Sequence, residues 1–419
     1  MKIYKLSLIL VAAAAVVFGL SGISFAFHSG GVAECTGCHQ MHGAASSYLT
    51  VGVDDTSTCF SCHMEAGASF AVATPDASMP AGTPPSNLGP GGDFGWLHKS
   101  YYYSVRGSAN TDLGDAHGHN VIAAGVTPPY TIDPVNTTAP GGTFPSSALA
   151  CTSCHDEHGQ GRWLPSAAYS NAGGSIFTSG SYGAVPTVFS TGENLATGVY
   201  RLLRGSLNSS GGSGTNSLTF GATPPVAVVN SNYNRSEQST QTRTAYANYM
   251  TDFCATCHPD MHTTAGILRH PSEQTMSGTV QGNYNSYVYS GNMTGSPTTS
   301  YLSLVPFEEG VGYSVAGIGT LATHAKTDNS NLNGPGSGTV PATAQVFCLS
   351  CHRAHATGFD YNFRWDSGAT TITLAGAYPT GSNAQGKSLA EVQQAYYGYN
   401  VTKFSAYQRQ LCNKCHAKD

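Results

Sequence analysis

Residues 35–39 read Cys-Thr-Gly-Cys-His, and this five-residue pattern decides the fold of the chain. The Cys-x-x-Cys-His pattern recurs five more times, and the six copies use all 12 cysteines of the 419 residues. On a helical turn, positions i, i+3 and i+4 share one face, so both thiols and the imidazole point the same way. Two thiols at this spacing form thioethers with one haem, and the following histidine binds its iron.

The six motifs therefore predict six covalently bound c-type haems. The predicted thioether residues are Cys35, Cys38, Cys59, Cys62, Cys151, Cys154, Cys254, Cys257, Cys348, Cys351, Cys412 and Cys415. The predicted proximal iron ligands are His39, His63, His155, His258, His352 and His416. A disulfide framework or zinc ribbons would also use many cysteines, but neither places a histidine after every second cysteine.

Ten further histidines remain among the 16 in the chain, and six haems with two imidazole ligands each need six of them. Methionine is the usual alternative ligand, but the methionines show less pattern than the histidines. We expect His98 and His117 to be ordinary solvated or hydrogen-bonding side chains. Which six of the other eight bind iron stays open at this point. These eight candidate distal ligands are His28, His42, His119, His158, His262, His270, His324 and His355.

Ligation by two imidazoles points to electron transfer rather than catalysis. Both axial positions of the iron are then occupied, so no substrate reaches the metal, and the absence of a methionine ligand favours low potentials. We therefore expect no enzymatic activity. A reductase of small nitrogen or sulfur compounds would need an open haem, which the surplus of histidines disfavours.

Residues 1–26 have the features of a secretory signal. Lys2 and Lys5 precede the apolar run 6–20, and Ser24-Phe25-Ala26 fits a cleavage site. The alternative is an uncleaved membrane anchor, but the apolar run is shorter than the ~20 residues that a span needs. We expect a mature chain from residue 27 to residue 419, exported through the periplasm, with no membrane span after cleavage.

The composition excludes several other classes of protein. Charged residues make up 10% of the chain, against ~25% in a typical domain. Such a chain does not suit a coiled coil or a charged disordered tail, and a formal net charge of -5 does not suit nucleic-acid binding. With only 40% hydrophobic residues, the haems themselves are expected to fill the interior.

The predicted fold is mostly coil with a few short helices and minimal strand, wrapped around a stacked chain of haems. The 50 glycines and 21 prolines interrupt long segments, such as residues 74–95, 133–147, 205–225 and 329–343. We expect residues 27–419 to form a single hexahaem domain; flexible linkers between small haem domains are the alternative. The predicted elements are a helix from Ser236 to Phe253, helices after capping boxes at Ser388 and Ser405, and a strand over Val226–Val229.

Several segments resemble the OmcS-type outer-surface hexahaem cytochromes of metal-reducing bacteria. The resemblance covers nearly the whole mature chain and includes long stretches outside the haem motifs. The segments that carry it are Phe27–His42, Pro90–Trp96, Tyr233–Arg243, Tyr301–Gly310, His324–Lys326, Cys348–Asp360 and Phe404–Asp419.

This resemblance implies an assembly as well as a cofactor. Members of the family polymerise into extracellular filaments with an unbroken chain of haems whose irons carry two histidine ligands. It further implies that His42 ligates a haem of the adjacent subunit, with the haem of His352 as the acceptor. A head-to-tail contact that does not close gives an open filament of this kind.

The sequence thus predicts an extracellular, conductive cytochrome filament that takes electrons from other electron-transfer proteins. Its expected acceptors are extracellular metal oxides or other cells. The alternative is a monomeric periplasmic or surface shuttle with the same six haems.

Overall fold

Irregular backbone dominates the part of the chain that the structure describes. The computed structural model describes residues 35–64, 71–158, 161–164, 168–170, 175–179, 195–206, 218–229, 237, 244–262, 272–296, 299, 303, 305–310, 317, 320–321, 324, 340 and 343–416. Within these ranges the helices are short and coil and turns prevail, which confirms the predicted fold class. The α-helices are α1 (Cys35–Cys38), α2 (Asp55–His63), α3 (Cys151–Cys154), α4 (Met250–Ala255), α5 (Pro259–His262), α6 (Gly278–Ser286), α7 (Cys348–Cys351), α8 (Leu389–Ala395) and α9 (Cys412–His416).

The described strands form small sheets rather than one large layer. A hairpin pairs β1 with β2, a four-stranded sheet has the order β4-β3-β6-β5, and β7 pairs with β8. All pairs are antiparallel except β5 with β6. The strands are β1 (Tyr101–Val105), β2 (Ser108–Asp112), β3 (Arg162–Trp163), β4 (Tyr169–Ser170), β5 (Ser175–Ser179), β6 (Leu195–Gly198), β7 (Ala227–Val229) and β8 (Thr244–Tyr246).

Side-chain caps explain where the longer helices begin. Asp54 accepts a hydrogen bond from the Ser57 amide at 2.6 Å and starts α2. The predicted capping box at Ser388 is confirmed: its Oγ accepts from the Glu391 amide at 3.3 Å, and the Glu391 carboxylate accepts from the Ser388 amide at 2.9 Å. Such caps satisfy the free amides of the first turn, so helix α8 begins at Leu389.

One element predicted ahead of the fourth haem motif is confirmed, and another is wrong in part. The strand predicted over Val226–Val229 is present as β7. The helix predicted from Ser236 to Phe253 is confirmed at residues 250–253, which belong to α4, and is wrong at residues 244–246, which form β8. Residues 236 and 238–243 lie outside the described part. Thr244–Tyr246 are all buried and pair with β7, so tertiary pairing overrides the local pattern.

The box predicted at Ser405 does not start a helix. The Gln408 side chain accepts from the Ser405 amide at 3.4 Å, as a capping box requires, but Gln408 is fully buried and also binds the Tyr287 hydroxyl at 3.1 Å. These contacts hold residues 405–411 in a turn. The last haem motif still lies on a short helix, α9, as predicted.

Apolar side chains form separate clusters that border one cavity. Phe60 and Phe94 belong to one cluster, Tyr284 and Phe307 to another, and all four line the same internal space. The interior is therefore organised around a cavity rather than an aliphatic core. Among the described residues, no helix combines the length and the apolar character needed to cross a membrane.

Candidate functional site

The haem motifs adopt the helical turn that their spacing predicts. The amide of the motif histidine donates to the carbonyl of the first cysteine, which closes the turn and aligns the three functional side chains. These bonds are His39 to Cys35 at 2.8 Å, His155 to Cys151 at 3.0 Å, His258 to Cys254 at 3.1 Å and His352 to Cys348 at 2.9 Å.

A serine inside the third and fifth motifs fixes the start of its own helix. In α3, Ser153 Oγ accepts from the Ala150 amide at 3.0 Å and donates to the Ala148 carbonyl at 3.1 Å. In α7, Ser350 Oγ accepts from the amide of residue 347 at 3.2 Å and donates to the Pro306 carbonyl at 2.7 Å. These serine contacts fix the start of each four-residue helix, and in α3 the Cys151 amide also donates to Thr56 Oγ1 at 3.3 Å.

One continuous cavity of about 2690 Å³ receives residues from all six motifs. Both cysteines and the histidine of each motif line it. Shared among six motifs, this volume is about 450 Å³ each, within the ~300–1,000 Å³ of a pocket for one cofactor. The space and the donor set therefore fit one haem c at each motif.

The motif histidines present the correct nitrogen to that space. A ligating histidine usually donates its second ring N–H to a carbonyl, which fixes the tautomer and leaves Nε2 free for the metal. Four motif histidines show this contact from Nδ1. They are His39 to Tyr48 O at 3.1 Å, His155 to Arg201 O at 2.7 Å, His258 to Pro140 O at 2.8 Å and His352 to Tyr361 O at 2.7 Å.

Three motif histidines have a second imidazole placed opposite them. Two imidazoles bound on either side of one metal at ~2 Å per bond have ring centres about 6.3 Å apart. The observed pairs match this spacing and all line the cavity. They are His39 with His158 at 6.4 Å, His119 with His258 at 6.1 Å and His155 with His355 at 6.5 Å.

Four of the imidazoles that line the cavity have lowered pKa values. Burial lowers the pKa of His119 to about 4 and that of His355 to about 3. Burial also lowers the pKa values of His155 and His352. A neutral ring is the form that binds a metal, so no proton has to be removed at neutral pH.

The motifs follow one another along the cavity in sequence order. Burial raises the pKa of Cys38, and the neighbouring thiols of the second motif raise it further. The neighbouring thiol of Cys151 raises the pKa of Cys59, which places the second motif beside the third. The neighbouring thiol of Cys348 raises the pKa of Cys254 in the same way, which places the fourth motif beside the fifth.

The remaining links come from the other cysteines of these motifs. Burial raises the pKa of Cys154 to about 12, and the nearby Cys257 contributes to the increase. Burial likewise raises the pKa of Cys351 to about 12, with contributions from Cys412 and Cys415. Thioethers do not titrate, so these pKa shifts do not apply to the loaded protein. The order of the motifs does apply, and it places six sites in single file.

Comparison with known proteins identifies the family. A model of the doubled CXXCH motif matches residues 28–68. The C-type cytochrome OmcS of Geobacter sulfurreducens is 43% identical over 447 aligned positions, which cover 98% of each chain. The chain belongs to the OmcS family of c-type cytochromes.

Solved structures of OmcS share the fold. The OmcS nanowires of Geobacter sulfurreducens, determined by cryo-EM, match with a TM-score of 0.81 at 42% identity. The outer membrane cytochrome S filament from the same organism matches with a TM-score of 0.82 at 43% identity. Each match covers 94% of this chain and 100% of the other.

As a c-type cytochrome of the OmcS family, the chain carries haem c at its motifs. Bound haem supplies a one-electron redox centre at each site. The cysteines of this chain would attach that group through two sulfurs, and carbonyl contacts and apolar side chains would orient and enclose the imidazoles. Burial and these hydrogen bonds would then tune the potential of each haem.

Of the candidate distal ligands, His158, His119 and His355 lie in the cavity opposite motif histidines. His42 is exposed and lies outside the residues that line the cavity. His28 and His270 fall outside the described residues.

His262 and His324 contact carboxylates and do not themselves line the cavity. His262 Nδ1 lies 3.2 Å from Ser272 Oγ, and its Nε2 lies 3.5 Å from a carboxylate oxygen of Asp252. His324 Nδ1 is hydrogen-bonded to the Glu309 carboxylate. His324 thus has one nitrogen oriented by a partner, as ligating histidines do.

The two histidines expected to be ordinary side chains also lie away from the cavity. His117 is fully buried, with Nε2 2.8 Å from Asp112 Oδ1 and Nδ1 3.3 Å from the Trp96 carbonyl. Both its nitrogens are engaged within the protein. His98 stacks on Tyr130 with ring centres 4.1 Å apart.

Sequence reasoning missed the residues that orient the ligands. The carbonyl acceptors at Arg201 and Tyr361 occupy the left-handed region, with φ of 50° and 59°, which no sequence pattern reveals. Phe363 stacks on His352 with ring centres 4.5 Å apart, and this too depends on tertiary packing.

Proposed function

We propose that this chain polymerises into an extracellular filament that conducts electrons through six c-type haems per subunit, each iron having two histidine ligands. The observation that carries the proposal is the single file of six sites, because a row that continues from subunit to subunit is a conductor. The OmcS nanowire and filament structures, which share this fold, support it.

In the proposal, residues 1–26 direct export and residues 27–419 form one hexahaem unit without enzymatic activity. Six of the eight candidate histidines outside the motifs supply the distal ligands. Electrons enter from other electron-transfer proteins and leave to extracellular metal oxides or to other cells.

The fifth site supports a ligand supplied by a second copy. His352 lines the cavity, yet among the described residues no imidazole lies opposite it. The neighbouring Tyr361 is 71% exposed, so this site lies near the surface. An exposed histidine of another subunit can therefore reach it, and we assign that role to His42.

The surface around His42 suits a contact between copies. Met41 is 83% exposed, and Tyr48, Leu49 and Val53 are exposed as well. These four residues, called the N-terminal apolar surface below, bring large apolar side chains together on one short segment. Large exposed apolar patches of this kind mark interaction sites.

The variant His42→Ala tests the proposal. We expect no filaments in the secreted fraction by electron microscopy, and one high-spin haem per subunit by electron paramagnetic resonance. Added imidazole should restore the low-spin state without restoring filaments. Ser47→Ala, an exposed position on the same segment, is the matched control and should behave as the wild type.

Two outcomes would overturn the proposal. Intact filaments with six low-spin haems in His42→Ala would remove His42 from the interface. A wild-type protein that is monomeric with six low-spin haems would establish the monomeric shuttle instead.

A further inference from the structure

A glycine loop crosses directly over the imidazole of His355. The His355 amide donates to the Gly91 carbonyl at 2.7 Å, and the Asp93 amide donates to the Ala356 carbonyl at 3.1 Å. Two backbone bonds of opposite direction therefore fix residues 91–93 to residues 355–356, as in a short antiparallel pair.

The loop leaves no room for side chains where it crosses. A Cβ on Gly91 would lie 2.8 Å from His355 Nδ1 and 2.9 Å from its Cε1. A Cβ on Gly92, whose φ is +92°, would lie 2.0 Å from the Ala356 carbonyl oxygen. Both positions thus need glycine, the first because of the ligand ring and the second because of the backbone.

An aromatic ring supports the same imidazole. Phe94 stacks on His355 with ring centres 4.6 Å apart and an interplanar angle of 21°. The loop residues Gly91, Gly92 and Phe94, called the glycine clamp below, therefore restrict the ring by packing.

Packing, more than hydrogen bonding, holds this ligand. His119, another paired histidine outside the motifs, has a well-formed hydrogen bond: its Nδ1 donates to the Ala354 carbonyl at 2.7 Å. His355 Nδ1 is buried and meets no partner at hydrogen-bonding geometry among the described residues. A weak hydrogen bond to the Gly92 backbone raises the pKa of His355, against the larger lowering by burial. Because that bond falls short of good geometry, steric contact is the main restraint on this ring.

The segment that carries His355 connects three haem sites. His352 is the proximal residue of the fifth motif, and His355 lies opposite His155 of the third. The carbonyls of Ala354 and His355 accept the side chain and the amide of His119, at 2.7 Å and 2.9 Å. His119 in turn lies opposite the fourth motif histidine.

We propose that Gly91 is a positioning residue for the haem of the third motif, and that segment His352–His355 transmits the position of His355 to the fourth site. The glycine clamp fixes the position of the His355 ring, and the carbonyls of Ala354 and His355 fix the position of His119. This inference rests on the ligand roles proposed above for His355 and His119, but not on polymerisation.

The test compares Gly91→Ala with Gly89→Ala, because a Cβ at Gly89 meets nothing within 4 Å. In fully loaded protein, we expect Gly91→Ala to convert about one haem per subunit to the high-spin state beyond the wild-type level, measured by electron paramagnetic resonance. The low-spin signal of a second haem should shift, since His119 moves with the segment. Gly89→Ala should match the wild type.

Imidazole rescue separates positioning from general damage. Added imidazole should return Gly91→Ala to the wild-type number of low-spin haems, and Gly91→Ala with His355→Ala should lose no more than His355→Ala alone. If Gly91→Ala does not accumulate, Phe94→Leu removes the stacking ring and should shift the signal of the same haem.

Three results would overturn the inference: an unchanged spectrum in both variants, a loss of low-spin signal spread over all six haems, or additive losses in the double variant. A failure of polymerisation would leave these spectra unaffected except at the fifth site. Electron microscopy of the same samples therefore distinguishes this inference from the proposed function.

Discussion

Removing the carboxylate of Asp112 should destabilise the protein severely without changing any haem ligand. Asp112 ends β2 and its side chain is 1% exposed, as is that of Lys387, with which it forms an ion pair. Its other oxygen accepts from His117 Nε2 at 2.8 Å. The variant Asp112→Ala leaves the Lys387 ammonium buried beside a Tyr101 ring with its counter-ion gone.

The expected magnitude follows from burial. Breaking a fully buried pair by removing one partner costs about 3–5 kcal/mol, because the remaining charge is uncompensated. The free energy of unfolding should fall by about that amount, which multiplies the unfolded fraction by roughly a hundred to several thousand. A pair with one exposed partner gives a contrast: Asp76 is 45% exposed and lies 3.7 Å from His98, so Asp76→Ala should cost less than ~1 kcal/mol.

The same pair predicts a dependence on pH. Burial raises the pKa of Asp112, but the hydrogen bonds and charges of His117 and Lys387 outweigh it and lower the pKa overall. A carboxyl whose folded pKa is depressed stabilises the protein above its unfolded value of about 3.9, and this contribution disappears as the pH falls below it. The difference between wild type and Asp112→Asn should therefore shrink below about pH 4.

Guanidinium unfolding of fully loaded protein, followed by far-ultraviolet circular dichroism, measures these differences. The transition slope must be the same in both proteins for the comparison to hold. A loss below ~1 kcal/mol in Asp112→Ala, equal to that of the Asp76 control, would refute the reasoning about the buried charge.

Two further predictions concern ligands and assembly. His158→Ala should turn one haem high-spin, the one attached beside His39. His117→Ala should keep the number of low-spin haems but lower the free energy of unfolding by about 1–3 kcal/mol, because it leaves buried partners unpaired. Electron paramagnetic resonance would contradict this if His158→Ala kept every low-spin signal. Tyr48→Ser should raise the lowest concentration that supports filaments about tenfold or more, since burying such a side chain contributes ~1.5–3 kcal/mol. Tyr102→Ser on the β1–β2 hairpin, also exposed, is the control, and sedimentation showing equal effects would remove the N-terminal apolar surface from the interface.

The haem motifs could be predicted because their chemistry is local. Five residues on one helical turn contain everything that attaches a haem, so Cys35–His39 and its five copies could be recognised without tertiary information. The same holds for the capping box at Ser388, where donor and acceptor are three residues apart.

The ligand pairs could not be predicted, because their members are distant in sequence. His39 and His158 are 119 residues apart, and His155 and His355 are 200 apart. No periodicity connects such positions; the cavity and loops such as the glycine clamp bring them together. The failure at Thr244–Tyr246 has the same cause, because only pairing with β7 makes that segment a strand.

The single file of sites along the cavity means that the six redox centres are connected in series. In a series arrangement, the slowest step limits the current and a single missing centre interrupts it, whatever the quality of the other five. In a filament the same holds for every subunit, so one incompletely loaded copy separates the conductor into two. Function therefore depends on complete cofactor attachment in every copy before it joins the polymer.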